Sequence, residues 1–163
     1  MRLIAIDPGT HCGWATWDGS HVQSGVEVFK TKRGQSPGIR LYNFGAWLSR
    51  VCQHIRPHIV IYEEPFLRGG AASDFLRELV GMLKAQVAAA EAEYTSVAVK
   101  TLKKWATGSG NASKDKMCFH ARLMWADCYE PAAPLDDNEA DALLILAWAR
   151  EQFKGGEDES NTP

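Results

Sequence analysis

Leu3-Ile4-Ala5-Ile6 is a short unbroken apolar run that stops on Asp7, Pro8 and Gly9. Such a run predicts a strand buried on both faces and closed by a tight turn, with Asp7 at its last step. A carboxylate in that position costs several kcal/mol to desolvate unless something positive answers it. Both the cover for the strand and the answer to the charge have to be found elsewhere in the chain.

Gly13 to Trp17 alternates and predicts a second strand turning at Asp18-Gly19, and Val22 to Phe29 predicts a third, antiparallel to it. Thr31 to Gly38 is polar, basic and loop-like. Leu41, Phe44, Leu48, Val51 and Ile55 recur at steps of three and four, which predicts a helix from about Pro37 to His54 stopped by Pro57. His58 to Glu63 then repeats the opening pattern, an apolar strand that delivers an acid to its end, closed by Pro65. Ser73 is the expected cap of a long helix reaching about Glu93, with Leu76, Leu79, Leu83 and Val87 on its apolar face and Gly81, Ala85, Ala88 and Ala92 on a small-residue side. A short strand (Tyr94 to Val99), a helical turn (Lys100 to Trp105), a helix capped by Ser113 (Lys114 to Asp127) and a last helix from Asp136 or Asp137 to about Phe153 complete the order. Three strands followed by alternating helices and strands give an α/β fold, a mixed sheet with helices packed on its faces. With 163 residues, one domain over residues 1–153 is expected, and the polar tail 154–163 is expected to be disordered.

No apolar run approaches the roughly 20 residues that span a bilayer, and a strand at the very start leaves no room for a signal peptide, so a cytoplasmic protein is expected. Cys12, Cys52, Cys118 and Cys128 are scattered without a CxxC pair, which argues for reduced thiols over a disulfide frame or a zinc site. The net charge of −2 conceals an asymmetry. Lys100, Lys103, Lys104, Lys114, Lys116 and Arg122 face only Asp115 between residues 95 and 126, and Lys30, Lys32, Arg33 and Arg40 form a second basic stretch. Local fields of this kind suit a polyanionic partner.

The acids have a pattern of their own. If the strands ending at Asp7 and Glu63 are neighbours in register, their carboxylates point into one space. Asp137 and Asp141 share a helix face, as do Asn138 and Asp141. Such a set would repel and drive its own pKa values upward. Divalent cations remove that conflict, and all-oxygen donors suit Mg²⁺ or Mn²⁺ rather than zinc. A pair of such ions can activate water and stabilise the leaving oxygen of a phosphodiester. Taken singly, each acid has an ordinary structural reading as a turn-former or a helix-dipole partner; the combination favours a metal site. Glu64 competes with Glu63, since strand alternation sends the two to opposite faces without choosing between them.

Gly108 to Ser113 leads into Lys114 at a helix start, an arrangement suited to a phosphate, although GxxxxGK[ST] is absent. Lys103, Lys104, Lys114 and Lys116 are candidate nucleic-acid contacts. Phe66 and Arg68 join them from the Gly-rich loop after the Glu63 strand, where an aromatic can wedge between bases at a distorted site.

With these residues in hand, the chain resembles the RuvC family of Holliday-junction resolvases over nearly its whole length. Ile4-Ala5-Ile6-Asp7-Pro8-Gly9-Thr10 with Gly13 matches the family's first strand and catalytic aspartate; Ile61-Tyr62-Glu63 with Phe66 matches its glutamate strand, favouring Glu63 over Glu64. Gly108 to Lys114 matches its glycine-containing loop and active-site lysine, Lys103 falls where a second lysine is common, and Ala140-Asp141-Ala142-Leu143 matches the closing helix with the last aspartate. The departure is Asn138, where the family usually has Asp or His; either its carbonyl oxygen or the adjacent Asp137 is left to complete the set. The compact chain and polar tail resemble phage-borne members.

The resemblance implies an RNase H-like fold and a homodimer on a four-way DNA junction, with paired nicks dependent on two Mg²⁺ or Mn²⁺ ions per site. Asp7, Glu63, Asp141 and Asp137 or Asn138 would be the ligands, Lys114 would offset transition-state charge, and the small-residue side of the Ser73–Glu93 helix would form the interface. Rival readings are an RNase H-fold nuclease acting on RNA or flapped DNA, and a non-cleaving junction-binding module. A sugar-kinase or actin-like ATPase shares Asp-x-Gly-Thr but needs two lobes, about twice this length.

Overall fold

The apolar run at the N-terminus becomes the middle strand of the sheet. The computed structural model describes residues 1–65, 69–131 and 134–153; Phe66 and Arg68 and the tail 154–163, for which expectations were stated above, lie outside them. The elements in order are β1 (Leu3–Asp7), β2 (His11–Trp17), β3 (Val22–Val28), α1 (Gly38–Ile55), β4 (Ile59–Glu64), α2 (Ala71–Ala89), β5 (Glu93–Ala98), α3 (Val99–Thr107), α4 (Lys114–Trp125) and α5 (Asp137–Gln152). The sheet order is β3-β2-β1-β4-β5. β1, β2 and β3 pair antiparallel, and β4 and β5 continue the sheet in parallel with β1. This is the mixed sheet that the element order predicts.

Alternation along β1 divides its side chains between two cores. Leu3 and Ala5, with Ile61 and Val97, pack beneath α3, α4 and α5 through Leu102, Met117, Trp125 and Leu143. Ile4 and Ile6, with Val60 and Tyr62, pack beneath α1 and α2 through Phe44, Leu48, Leu79 and Leu83. Helices therefore cover both faces, which is why β1 carries no polar residue before Asp7. Gly45 lets α2 approach α1, because a methyl group there would press on the Met82 sulfur at 2.9 Å. α5 is buried along most of its length, from Ala140 through Leu146 to Ala149, and so lacks the one-sided apolar stripe of a surface helix.

Several expected boundaries move. Gly69 and Gly70 take positive φ (86° and 79°), and the chain turns into α2 two residues before Ser73. Ser73 is then not the cap but a buried first-turn residue whose hydroxyl donates to the Gly69 carbonyl at 3.1 Å, an i−4 bond that competes with capping. α2 ends at Ala89, short of Glu93, because Glu91 adopts φ 56° and Glu93 already belongs to β5. Val99 opens α3 instead of closing β5, and α4 stops at Trp125. Ser113 does cap α4, accepting from the Lys116 amide, and Asp136 caps α5 by accepting from the Asn138 amide. All four cysteines are free thiols.

Candidate active site

β1 and β4 run in parallel with Ile6 beside Tyr62, and the same offset carried one residue further sets Asp7 beside Glu63. Alternation then assigns their sides. Ala5 and Ile61 point into the core beneath α5, so Asp7 and Glu63, two residues on, project from that same face at the strand ends. Glu64 is exposed and belongs to the other side. Sheet geometry thus separates the two glutamates that the sequence pattern leaves competing.

The third contributor is the start of α5. Gly13 faces Asp7 across the β1–β2 pair, and a side chain at Gly13 would overlap the backbone carbonyl of Asn138. The missing Cβ lets the first turn of α5 lie directly on β2 beside Asp7. A second tie sits one residue on. Glu139 is buried, accepts a hydrogen bond from Ser24 Oγ of β3 at 2.5 Å, and shares that hydroxyl with Tyr129 OH at 2.8 Å. With its entry fixed this way, α5 presents Asp137 and Asp141 toward Asp7. Asn138 is occupied differently. Its side-chain amide donates to the Asp136 carboxylate at 2.8 Å, so its place in this structure is in the cap, while Asp137 faces the acids. Sequence reasoning missed Ser24, Tyr129 and Glu139; an acid in the first turn of a helix ordinarily signals only the helix dipole.

The electrostatics follow from this convergence. Burial, then the charges of Glu63, Asp141 and Asp137, push the Asp7 carboxyl well above its usual range, against a smaller pull from Lys114. No hydrogen bond is among these influences. Glu63 is pushed up to about 7 by burial and by Asp141, with Lys103 opposing. Asp141 rises to about 6 through burial and Asp137, with Lys103 and Lys114 pulling it down. Lys114 pairs with Asp137, which raises the lysine's pKa. Lys103 donates to the Ala112 carbonyl at 3.1 Å and acts on Glu63 and Asp141, so it belongs with the acids as much as with a basic surface. Lys104 and Lys116 are exposed, with no such influence on the acids.

Among the described residues, no three acidic, histidine or cysteine side chains already stand close enough to enclose an ion. The donor chemistry nonetheless fits a hard divalent cation. Three carboxylates raise one another's proton affinity at one edge, and the lysines present offset only part of the repulsion. A cation held between them would remove both the desolvation and the mutual repulsion.

Comparison with known proteins is consistent with this geometry. No family model matches the chain. It is 28% identical over 149 residues to the crossover junction endodeoxyribonuclease RuvC of Ruegeria pomeroyi, covering 89% of this chain and 88% of that one. It is 29% identical over 154 residues to the RuvC of Acidiphilium cryptum, with 88% and 87% covered. Among solved structures, it matches Thermus thermophilus RuvC in complex with a Holliday junction substrate at a TM-score of 0.76 and 24% identity, over 93% of this chain and 96% of that one. The shared architecture is the RNase H-like fold, and the relatives together with the fold support a RuvC-family resolvase.

Proposed function

We propose that this chain is an endonuclease that resolves Holliday junctions by paired, metal-dependent nicks in DNA phosphodiester bonds. The observation that carries the reading is the meeting of Asp7, Glu63 and Asp141 at one edge of the sheet, with their proton affinities raised by burial and by one another's charge. Relatives over nearly the full length name the reaction class.

In this reading residues 1–153 form one nuclease unit. Asp7, Glu63 and Asp141 would hold Mg²⁺ or Mn²⁺, two ions per site, and Asp137, whose charge acts on both Asp7 and Asp141, would take the fourth position, while the side-chain NH2 of Asn138 donates to the Asp136 cap. The ions supply an activated water and charge compensation at the scissile phosphate. Lys114, paired with Asp137 in this structure, exchanges that partner for the phosphate and offsets its developing charge. Lys103 lowers the proton affinity of both Glu63 and Asp141, against burial and the neighbouring acids. Lys104 and Lys116 extend the positive surface along α3 and α4, and Phe66 and Arg68 are assigned to the junction by sequence alone.

A four-way junction offers two equivalent strands, so the working unit is a closed C2 homodimer. The face of α2 carrying Gly81, Ala85 and Ala88 is open in the monomer and is the proposed interface; Ala92 lies beyond the helix and packs against the core instead. No helix among the described residues is long and apolar enough to cross a membrane, and action in the cytoplasm of a bacterial or phage-infected cell matches the bacterial relatives.

The deciding experiment is a nicking assay on a mobile synthetic four-way junction with Mg²⁺ and with Mn²⁺, beside matched flap, duplex and RNA substrates. Symmetric nicks confined to the junction are expected. Preferential cleavage of RNA or flaps would replace the reading with that of another RNase H-fold nuclease, and binding without cleavage would leave a junction-binding module.

A further inference from the structure

Arg40 opens α1, and its guanidinium is only partly used. Nη2 donates to Thr10 Oγ1 at 2.6 Å, and the group lies 3.5 Å from the centre of the Phe75 ring. Nε is buried without a hydrogen-bond partner, the one such side-chain nitrogen or oxygen among the described residues. No carboxylate pairs with Arg40 among those residues. A desolvated donor left unmade is costly, and an aromatic face answers only part of a cation's charge.

The surroundings say what is missing. Thr10, Arg40, Ala71, Ala72, Phe75 and Leu76 line an open notch of about 380 Å³, and Arg40 is the charged group among these described residues. Thr10 stands three residues after Asp7, so the notch opens at the strand ends that carry the acids, but on the side of the sheet covered by α1 and α2. The Thr10 carbonyl also accepts from the Phe29 amide at 2.8 Å, and the exposed Lys30, Lys32 and Arg33 follow at once. The second basic stretch of the sequence therefore begins beside this notch.

We propose that the notch is a seat for a DNA backbone phosphate, with Arg40 as the contacting cation and Thr10 fixing its orientation. The inference rests on the resolvase reading. A guanidinium with unused donors matches phosphate oxygens better than any neutral group, and a phosphate brings the counter-charge and acceptors that Arg40 lacks. Phosphate contacts of this kind set register rather than sequence. This one holds a strand across the Pro8–Thr10 turn, so that its next segment reaches Asp7 and Glu63 from a fixed direction, and Lys30, Lys32 and Arg33 continue the track.

The test is the salt dependence of junction binding, measured in a chelator so that no strand is cut. Arg40→Gln should weaken binding about tenfold at low salt and lower the slope of log affinity against log salt by about 0.9, the signature of one lost phosphate contact. Arg40→Lys should restore the slope. A scan of single methylphosphonates through the arms, made with the wild-type protein, should find a position away from the scissile bond whose neutralisation reproduces the Arg40→Gln loss and adds nothing to it in that variant. An unchanged slope in Arg40→Gln, equal loss in Gln and Lys variants with a lowered unfolding temperature, or no such phosphate in the wild-type scan would overturn the notch. Wild-type protein that fails to prefer the junction over duplex sinks the resolvase reading itself, a different result from either.

Discussion

Two aspartates close neighbouring strands of one meander, and their environments drive them in opposite directions. Asp18, after β2, accepts the backbone amides of Ser20 and His21 at 2.8 Å each and the Ser20 hydroxyl at 3.0 Å. Those bonds, led by the His21 and Ser20 amides, hold its carboxyl below the usual carboxylate range. Asp7, at the end of β1, is buried, surrounded by other acids, and pushed the other way. Asp136 is a third case: burial pushes it up, but bonds from Asn138 and Glu139 win and its pKa falls. An acid at the end of a strand or the start of a helix therefore says little by itself. What separates a turn-former from a functional group is whether the fold supplies donors for it, and among the described residues no hydrogen bond counters the upward push on Asp7.

The largest test of that difference is to remove each charge in turn. Asp7→Asn should lower junction cleavage by about a thousandfold or more while junction binding persists in chelator. Asp18→Asn should leave cleavage within about twofold and act only on the turn. Nicking that survives Asp7→Asn, or is lost with Asp18→Asn, breaks the comparison outright. The same contrast should hold across one peptide bond. Glu63→Gln should cost roughly a hundredfold or more in cleavage, and Glu64→Gln, on the opposite side of the strand, close to nothing. Equal losses would mean that strand alternation does not separate them functionally.

The two kinds of acid also predict different pH windows for stability in metal-free protein. Glu63 and Asp141 bind protons more tightly folded than unfolded, with folded values of about 7 and about 6 against reference values of about 4.3 and 3.9. Their favourable contribution is complete below about pH 4 and is lost as pH rises through 6 to 7. Asp18, with its pKa lowered, contributes above its unfolded value and loses that contribution as pH falls below it. The unfolding temperature in chelator should therefore decline between about pH 4.5 and 7, and Mg²⁺ or Mn²⁺ should raise it most at the upper end, where the carboxylates are bare. Asp7→Asn should flatten that decline, whereas Asp18→Asn should alter only the acid limb. A metal-free protein whose stability is level from pH 4.5 to 7 would show that these acids do not strain the fold.

The sheet, its strand directions and its paired acids were legible in the residues because each rests on local pattern: apolar alternation, turn chemistry and an acid repeated at two strand ends. The choice between Glu63 and Glu64 came from the family resemblance and not from the residue pattern, since it depends on which face the neighbouring Ile61 buries, a property of packing. Nor was the turning of the Asn138 side-chain NH2 toward the Asp136 cap legible there, because the alternatives Asp137 and Asn138 differ only in where the helix entry turns them. Ser73 looked like a cap and became interior, displaced by the positive-φ glycines before it. The Ser24–Glu139–Tyr129 cluster joins residues 105 and 115 positions apart, and nothing local announces such a contact.

That cluster supports the smallest prediction, and it refines the division between committed and uncommitted acids. Glu139 is buried yet satisfied, so by the criterion that separates Asp18 from Asp7 it is structural. It nevertheless lies two residues from both Asp137 and Asp141, on the turn that Gly13 admits against β2. Ser24→Ala leaves the Glu139 carboxylate and Tyr129 hydroxyl without their shared partner and should cost about 1–3 kcal/mol of stability. If the bond also sets the pose of α5, the turnover of bound junction should fall about three- to tenfold through misplacement of Asp141, with junction affinity in chelator unchanged. Ser24→Thr, which keeps the hydroxyl, should recover most of the turnover. A variant that loses stability at constant turnover would make Glu139 a structural acid like Asp18. A loss of turnover at constant affinity would show that a satisfied carboxylate can serve the site by holding the helix that carries the unsatisfied ones.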